Sequence, residues 1–259
     1  GYRGLGCERA RPLLGSGGGM SEWSIDIGGV TVEPRFQQYV CSKEPELRRG
    51  ELLSRPAGHA HIEAFFDSLD YPQHLEILTW QLEIKERFWA STECRMSINV
   101  DNALIETDEQ RATFLDVVSR FPTPSTFEFT ETHPMPPVQT SNRLLRDVRD
   151  LGHLTALDDF GTGLNGMSLL TDYDFDVVKI DRSLVFDITD RIEKQKTVKL
   201  INQMLGVLGK RHVVEGIDDE EVYRLLKKAG FTTYQGFLFF RPEPIEDAMA
   251  RLKVKEDVS

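Results

Sequence analysis

From Met20 onward the apolar positions fall into two alternating patterns. Short runs of β-branched and aromatic residues read as strands: Met96 to Val100, Thr126 to Thr130, Leu154 to Leu157, Asp176 to Ile180, His212 to Glu215 and Thr232 to Gln235. Amphipathic stretches separate them. Val198, Ile201, Leu205 and Leu208 recur at helical spacing, as do Leu75, Leu78 and Leu82 in an earlier helix. Gly152, Gly209 and Gly230 each end a helical stretch ahead of a strand, where a left-handed C-cap is expected. Pro72, Pro136 and Pro137 sit near helix starts, where a missing N–H costs little. The alternation predicts an α/β fold with parallel strands.

Polar residues interrupt the apolar runs at a consistent place. Asn99, Glu128, Asp158 with Asp159, Lys179, Glu215 and Gln235 each lie at or near the C-terminal end of a predicted strand. Their separations run from 20 residues (Glu215 to Gln235) to 36 (Lys179 to Glu215), each long enough for a crossover helix. An open doubly wound sheet spreads such groups along an edge, whereas a closed (β/α)₈ barrel points them into one mouth. The barrel accounts for the pattern better. No GxxxxGK[ST] sequence supports a P-loop site.

Composition narrows the function classes. The 259 residues are 40% hydrophobic and 28% charged, enough apolar material for a substantial core. No apolar stretch approaches the roughly 18 residues needed to span a bilayer. With 31 Lys and Arg against 42 Asp and Glu, the formal charge of −11 disfavours attachment to nucleic acid polymers or anionic membranes. A small phosphate substrate remains compatible if cations or a few arginines attract it locally. Cys7, Cys41 and Cys94 show no pairing or metal-ligand spacing, so they read as thiols in a reducing compartment, and the cytoplasm is the expected location. Residues 1–20, with a Gly/Ser run from Gly15 to Gly19, read as a flexible linker rather than a basic arm, leaving 21–259 as one domain.

If the strand ends converge, Glu51 from an earlier apolar segment joins Glu128, Asp158, Asp159 and Glu215 in one cavity. Two unit charges about 5 Å apart repel by about 3 kcal/mol at an effective dielectric near 20, and several such pairs would coexist. Raised pKa values relieve part of this repulsion. Two divalent cations relieve more while using the oxygens as ligands. Carboxylates with the amide of Asn99, and no cluster of His or Cys, favour Mg²⁺ or Mn²⁺ over Zn²⁺. Such a site suits in-line displacement at phosphorus. Lys179 adds a cation that orients water or neutralises phosphate charge. Glu215 is the candidate general base, or else a ligand of the second ion.

The segment Ala156 to Gly163, ALDDFGTG, followed by Asp176 to Ser183, DVVKIDRS, resembles the signature of EAL-domain cyclic di-GMP phosphodiesterases. Further matches occur in order: Phe36-Gln37, Gly50-Glu51-Leu52-Leu53 with Arg55, Ser97-Ile98-Asn99, Glu128-Phe129-Thr130-Glu131, Val214-Glu215-Gly216 and Gln235-Gly236. The resemblance implies a modified TIM barrel, a single domain, that hydrolyses cyclic di-GMP to linear pGpG with Mg²⁺ or Mn²⁺. It also implies residue roles. Glu51, Asn99, Glu128 and Asp158 hold the first ion, Asp158 bridges, and Asp159 serves the second. Glu51, Lys179 and Glu215 form the catalytic set, while Gln37, Arg55 and Gln235 face the ligand. Arg55 has the chemistry best suited to phosphate. Ca²⁺ is expected to occupy the site without supporting turnover. A homodimer is implied, formed near the Asp159 to Leu164 loop, which Glu131 helps hold and which gates activity.

Some positions depart from the family pattern. The name-giving Glu-Ala-Leu is Glu51-Leu52-Leu53, Asp101 replaces a Ser, Gly216-Ile217-Asp218 replaces Gly-Val-Glu, and Leu164-Asn165-Gly166 replaces Tyr-Ser-Ser. A catalytically silent module that binds cyclic di-GMP or a protein is therefore an alternative. A different Mg²⁺-dependent barrel enzyme, stabilising an enolate with a lysine base, is another. Taken alone, the Asp158-Asp159 pair reads as a turn cap. The His59-X-His61 pair, with no third ligand nearby, reads as loop surface, and Trp80 and Trp89 read as helix packing.

Overall fold

The computed structural model describes residues 21–130, 135–162 and 166–253. The expected linker at 1–20 lies outside them. In chain order the elements are β1 (Ile25–Ile27), β2 (Val30–Gln38), β3 (Val40–Cys41), β4 (Arg49–Pro56), α1 (Ile62–Asp67), α2 (Tyr71–Thr92), β5 (Arg95–Val100), α3 (Asp108–Ser119), β6 (Ser125–Thr130) and α4 (Val138–Asp150). They continue with β7 (Leu154–Phe160), α5 (Gly166–Asp172), β8 (Val177–Ile180), α6 (Arg182–Val185), α7 (Ile192–Val207), β9 (Arg211–Val214), α8 (Glu220–Lys228), β10 (Thr233–Tyr234), β11 (Glu243–Pro244) and α9 (Ile245–Leu252).

Strands β4 through β10 pair in parallel in the order β4-β5-β6-β7-β8-β9-β10. Closure comes from the opposite direction. β2 runs antiparallel to β4, and after the single residue Tyr39 the chain continues as β3, antiparallel to β10. One nearly continuous reversed strand thus joins both edges of the parallel sheet and leaves a modified TIM barrel.

The helices form for local reasons visible in the sequence. Asp70 and Gln73 cap α2 reciprocally, with Pro72 in its first turn, and Leu78 and Leu82 enter the core. Thr107 and Gln110 repeat the device at α3. Gly152, Gly209 and Gly230 have φ of 91°, 66° and 102°, the left-handed C-cap conformation. On α7, Val198 and Leu205 are buried and Ile201 packs against them. Leu208, expected on the same stripe, is instead 38% exposed, because it is the C-cap residue and Gly209 turns the chain away.

Strand alternation sorts side chains between two environments. Phe127 and Phe129 face outward into the apolar layer beneath the helices, while Glu128 between them faces the barrel interior. Tyr39, Ala156, Val177 and Val213 fill the middle of that interior. Trp80 is buried, and its indole N–H donates to the Trp23 carbonyl at 2.7 Å, a packing role. His59 and His61 are exposed. No helix among the described residues is long and apolar enough to cross a membrane.

Candidate active site

Register delivers the polar groups to one mouth. Glu51 on β4 lies opposite Gln37 of the reversed strand, and Asn99 on β5 lies opposite Glu128 on β6. On β7, adjacent residues should face opposite ways, yet Asp158 and Asp159 line the same cavity. The ladder shifts register between Leu157 and Phe160, and Asp159 adopts φ 57°, a left-handed conformation that Asp tolerates better than most residues. This irregularity turns both carboxylates toward the site. The Thr130 hydroxyl donates to Asp159 Oδ2 at 3.2 Å, and the Asp159 N–H donates to Asp158 Oδ1 at 3.0 Å.

Lys179 stands at the centre. Its buried Nζ lies 2.7 Å from Glu128 Oε2, 2.8 Å from Glu215 Oε1, 3.1 Å from Asp158 Oδ1 and 3.3 Å from Glu51 Oε2. Burial alone would lower its pKa, but Asp158, Glu128, Glu215 and Glu51 together hold it well above the ordinary lysine value. It is therefore an ammonium at any physiological pH. A single buried ammonium cannot balance five ionised carboxylates, so part of the repulsion is relieved by carboxyl groups that keep their protons.

The carboxylates differ in their surroundings. Burial works to raise the pKa of Glu51, but Lys179, the Gln235 amide (2.8 Å) and the Asn99 amide (2.8 Å) hold it below the usual carboxylate range. Burial, with the charges of Glu51 and Asp158, pushes Glu128 up to about 8 against the opposing pull of Lys179. Burial and Asp158 push Asp159 up to about 6. Burial also raises Glu215 well above its ordinary value, helped by Asp158 and Glu51. Equal chemistry thus yields a fixed anion at Glu51 and proton-holding groups at Glu128 and Glu215 when no cation is bound.

This arrangement fits hard cations. Asp158, Asp159 and Glu215 offer ligand oxygens that all lie within 4.8 Å of one another, and the whole donor set is oxygen. Glu51 and Glu128 join that cluster through Lys179 rather than directly. Gln37 donates to the Phe240 carbonyl at 2.9 Å and accepts from Gln235 at 3.0 Å. Gln235 Oε1 is buried with no hydrogen-bond partner among the described residues, an acceptor with nothing to accept.

Two cavities meet at the mouth. One of about 440 Å³ is lined by Arg55, Asn99, Glu128, Asp158 and Asp159, and a neighbour of about 260 Å³ by Gln37, Glu51, Arg55, Glu215 and Gln235. The half-buried Arg55 borders both. Asp101 uses its carboxylate to cap the turn after β5, accepting from the Ala103 N–H at 2.8 Å, and lies 3.7 Å from His74 Nδ1. Glu131, Leu164 and Asn165 lie outside the described residues.

Sequence reasoning missed Tyr39 and Thr130. The Tyr39 hydroxyl donates to Glu128 Oε1 at 3.1 Å, and Thr130 supports Asp159. A two-residue period carried the signal for both, since Tyr39 follows Gln37 and Thr130 follows Glu128 on the same strand face.

The raised carboxyls predict a pH dependence without metal. Below pH 6.5, His153 and His212, both lowered to about 4 by burial, oppose the carboxyl effect. Between pH 6.5 and 8, Glu128 still holds in the folded state a proton that the unfolded chain has released, so stability falls as pH rises. The slope is about 1.4 kcal/mol per pH unit, or about 2 kcal/mol across the window. Thermal melts in EDTA should show Tm declining over this range and flattening in Glu128→Gln. A wild-type Tm that rises would contradict the assignment.

Comparisons with known proteins give the family and the fold. A family model described as EAL domain matches residues 24–242. The probable cyclic di-GMP phosphodiesterase PdeG of Escherichia coli K12 is 30% identical over 233 residues, covering 83% of this chain and 45% of that protein. The Klebsiella pneumoniae BlrP1 manganese/cy-diGMP complex superposes with a TM-score of 0.72 at 26% identity, covering 83% of this chain and 56% of that one. The EAL domain of Mycobacterium smegmatis DcpA gives 0.70 at 23% identity, over 86% and 97% of the two chains, and supports the fold. The chain spans less than half the length of PdeG. The match over residues 24–242, with the barrel fold, places this chain in the EAL domain family.

Proposed function

We propose that this chain hydrolyses cyclic di-GMP to linear pGpG with Mg²⁺ or Mn²⁺. The observation that carries the reading is the Lys179-centred ring of carboxylates beside the Asp158, Asp159 and Glu215 cluster. The chemistry that bound ions supply is polarisation of a phosphate oxygen and acidification of a water. Glu51, Asn99, Glu128, Asp158 and Asp159 are the proposed ligands.

The remaining steps belong to side chains. Arg55, at the junction of the two cavities, pairs with a phosphate, and the two cavities suit the two nucleotide halves. The unpartnered Gln235 Oε1 accepts from a ligand N–H, with Gln37 fixing the amide from behind. Lys179 donates toward the attacking water and the phosphate oxygens. Glu215 takes the proton as the water oxygen bonds to phosphorus and the P–O3′ bond breaks, and the departing O3′ takes up a proton from solvent to become the 3′-hydroxyl. A lysine general base is disfavoured, because the four carboxylates keep Lys179 protonated. The proposed assembly is a homodimer in the cytoplasm.

Incubation of purified protein with cyclic di-GMP and either Mg²⁺ or Mn²⁺, followed by chromatography, tests the reading. Metal-dependent release of pGpG, abolished by EDTA, is expected. Binding of cyclic di-GMP with no pGpG at any metal concentration would establish a silent module instead.

A further inference from the structure

The interior face that presents carboxylates at one end of the barrel presents arginines at the other. Arg49 lies two residues before Glu51 on β4, Arg95 four before Asn99 on β5, and Arg211 four before Glu215. Each shares its strand face with a site residue but opens the strand rather than ending it. At about 3.3 Å per residue, Arg95 and Arg211 lie roughly 13 Å along their strands from Asn99 and Glu215, and Arg49 roughly 7 Å from Glu51. Arg49 and Arg95 are direct register partners on neighbouring strands.

These arginines line a cavity of about 560 Å³ at the barrel's N-terminal mouth, with Ser97, Thr126 and Thr233 hydroxyls beside them. That is the size of an ordinary small-ligand pocket. Its inner wall is Tyr39, Glu128 and Lys179, the layer that separates it from the acidic mouth.

Charge within the cavity is unbalanced. Arg49, Arg95 and Arg211 make no ion pair and no side-chain hydrogen bond among the described residues. Glu44 is the carboxylate that attracts Arg49, and Asp176, near Arg95, already accepts from the Thr155 N–H and hydroxyl and pairs with Arg149. Lys210 at the rim spends its ammonium on the Tyr173 and Phe175 carbonyls. Burial and the charge of Arg211 pull Arg49 below the ordinary arginine value, and burial, Arg49 and Arg211 do the same to Arg95. In a chain of formal charge −11, three unpaired guanidiniums in one hollow stand against the general field.

We propose that this N-terminal mouth is a second ligand site, distinct from the carboxylate site, which takes a small phosphate-bearing anion between Arg49, Arg95 and Arg211. Guanidiniums bind phosphate oxygens in paired fashion, and three from separate strands would bind one dianion better than any single surface arginine. The same chemistry serves free phosphate and the phosphate of a mononucleotide.

Thermal melts and titration calorimetry in EDTA, where the acidic mouth repels anions, test this with inorganic phosphate, pyrophosphate and GMP against chloride of equal ionic strength. Wild type should gain about 3 °C or more at saturating phosphate anion. Arg95→Gln and Arg211→Gln should each weaken the measured affinity at least about tenfold. Arg211 is exposed, so its variant serves as the folded control. Tighter binding of GMP than of phosphate assigns a nucleotide, and the reverse assigns free phosphate. Shifts no greater than with chloride, or equal shifts in the Gln variants, would overturn the site.

Discussion

Lys179→Ala should cut turnover of cyclic di-GMP by on the order of 10²- to 10³-fold, because it removes the one ammonium that reaches four carboxylates at once. The same change should destabilise the metal-free fold by about 3 to 5 kcal/mol, the usual consequence of leaving buried charge without its partner. Divalent metal separates the two effects. A bound cation restores the missing positive charge, so Mg²⁺ or Mn²⁺ should raise the Tm of Lys179→Ala more than that of wild type, while activity stays low. Activity recovered at high metal would mean that the lysine serves only to neutralise charge. A variant as stable as wild type in EDTA would mean that the carboxylates do not depend on Lys179.

Asp158→Ala should act in the opposite way on metal. Asp158 sits within reach of Lys179 and belongs to the cluster with Asp159 and Glu215, so it touches both charge systems. Removing it relieves repulsion, and burial and Glu51 already make its ionised form unfavourable. The metal-free protein should therefore melt at or above the wild-type temperature. Added Mg²⁺ or Mn²⁺ should no longer raise the Tm, and turnover should fall at least about 10³-fold with loss of the ions. Normal activity in this variant would be incompatible with a site built on that carboxylate.

The parallel half of the barrel was legible because its strands are uniform. Runs such as Phe127-Glu128-Phe129 and Val177-Val178-Lys179 place one polar residue in a buried strand, and the regular spacing of those residues predicts a closed mouth. The reversed strand β2 was less legible. Val30, Val32 and Phe36 alternate correctly, but Pro34 interrupts the run, and proline in a strand weakens that reading. The pairings show why it tolerates the interruption: Pro34 lies opposite Ser54 of β4, and on the strand's other edge it falls between the residues that pair with β1 and those that pair with β11. Thr232 to Gln235 was overextended for a related reason, since at the closing seam β10 reduces to Thr233–Tyr234.

Within the site, residue types were readable and their mutual charge state was not. The composition suggested that five carboxylates need external cations. Lys179 was readable as a cation at the same mouth, directed at water or phosphate; the structure shows in addition that its ammonium pairs with four of the carboxylates at once. Nor does spacing reveal that Asp158 and Asp159 face the same way, because that depends on the register shift in β7.

The central claim is that carboxylates from β4, β6 and β7, with Glu215 after β9, form one divalent-cation site for phosphodiester hydrolysis. Crystals grown with Mn²⁺ and cyclic di-GMP, measured for anomalous scattering, test it most directly. The account predicts two manganese peaks at the barrel mouth, both within ligand distance of Asp158, with a phosphate of the nucleotide beside them. Nucleotide density with no manganese at Asp158, or manganese bound only elsewhere, would contradict it.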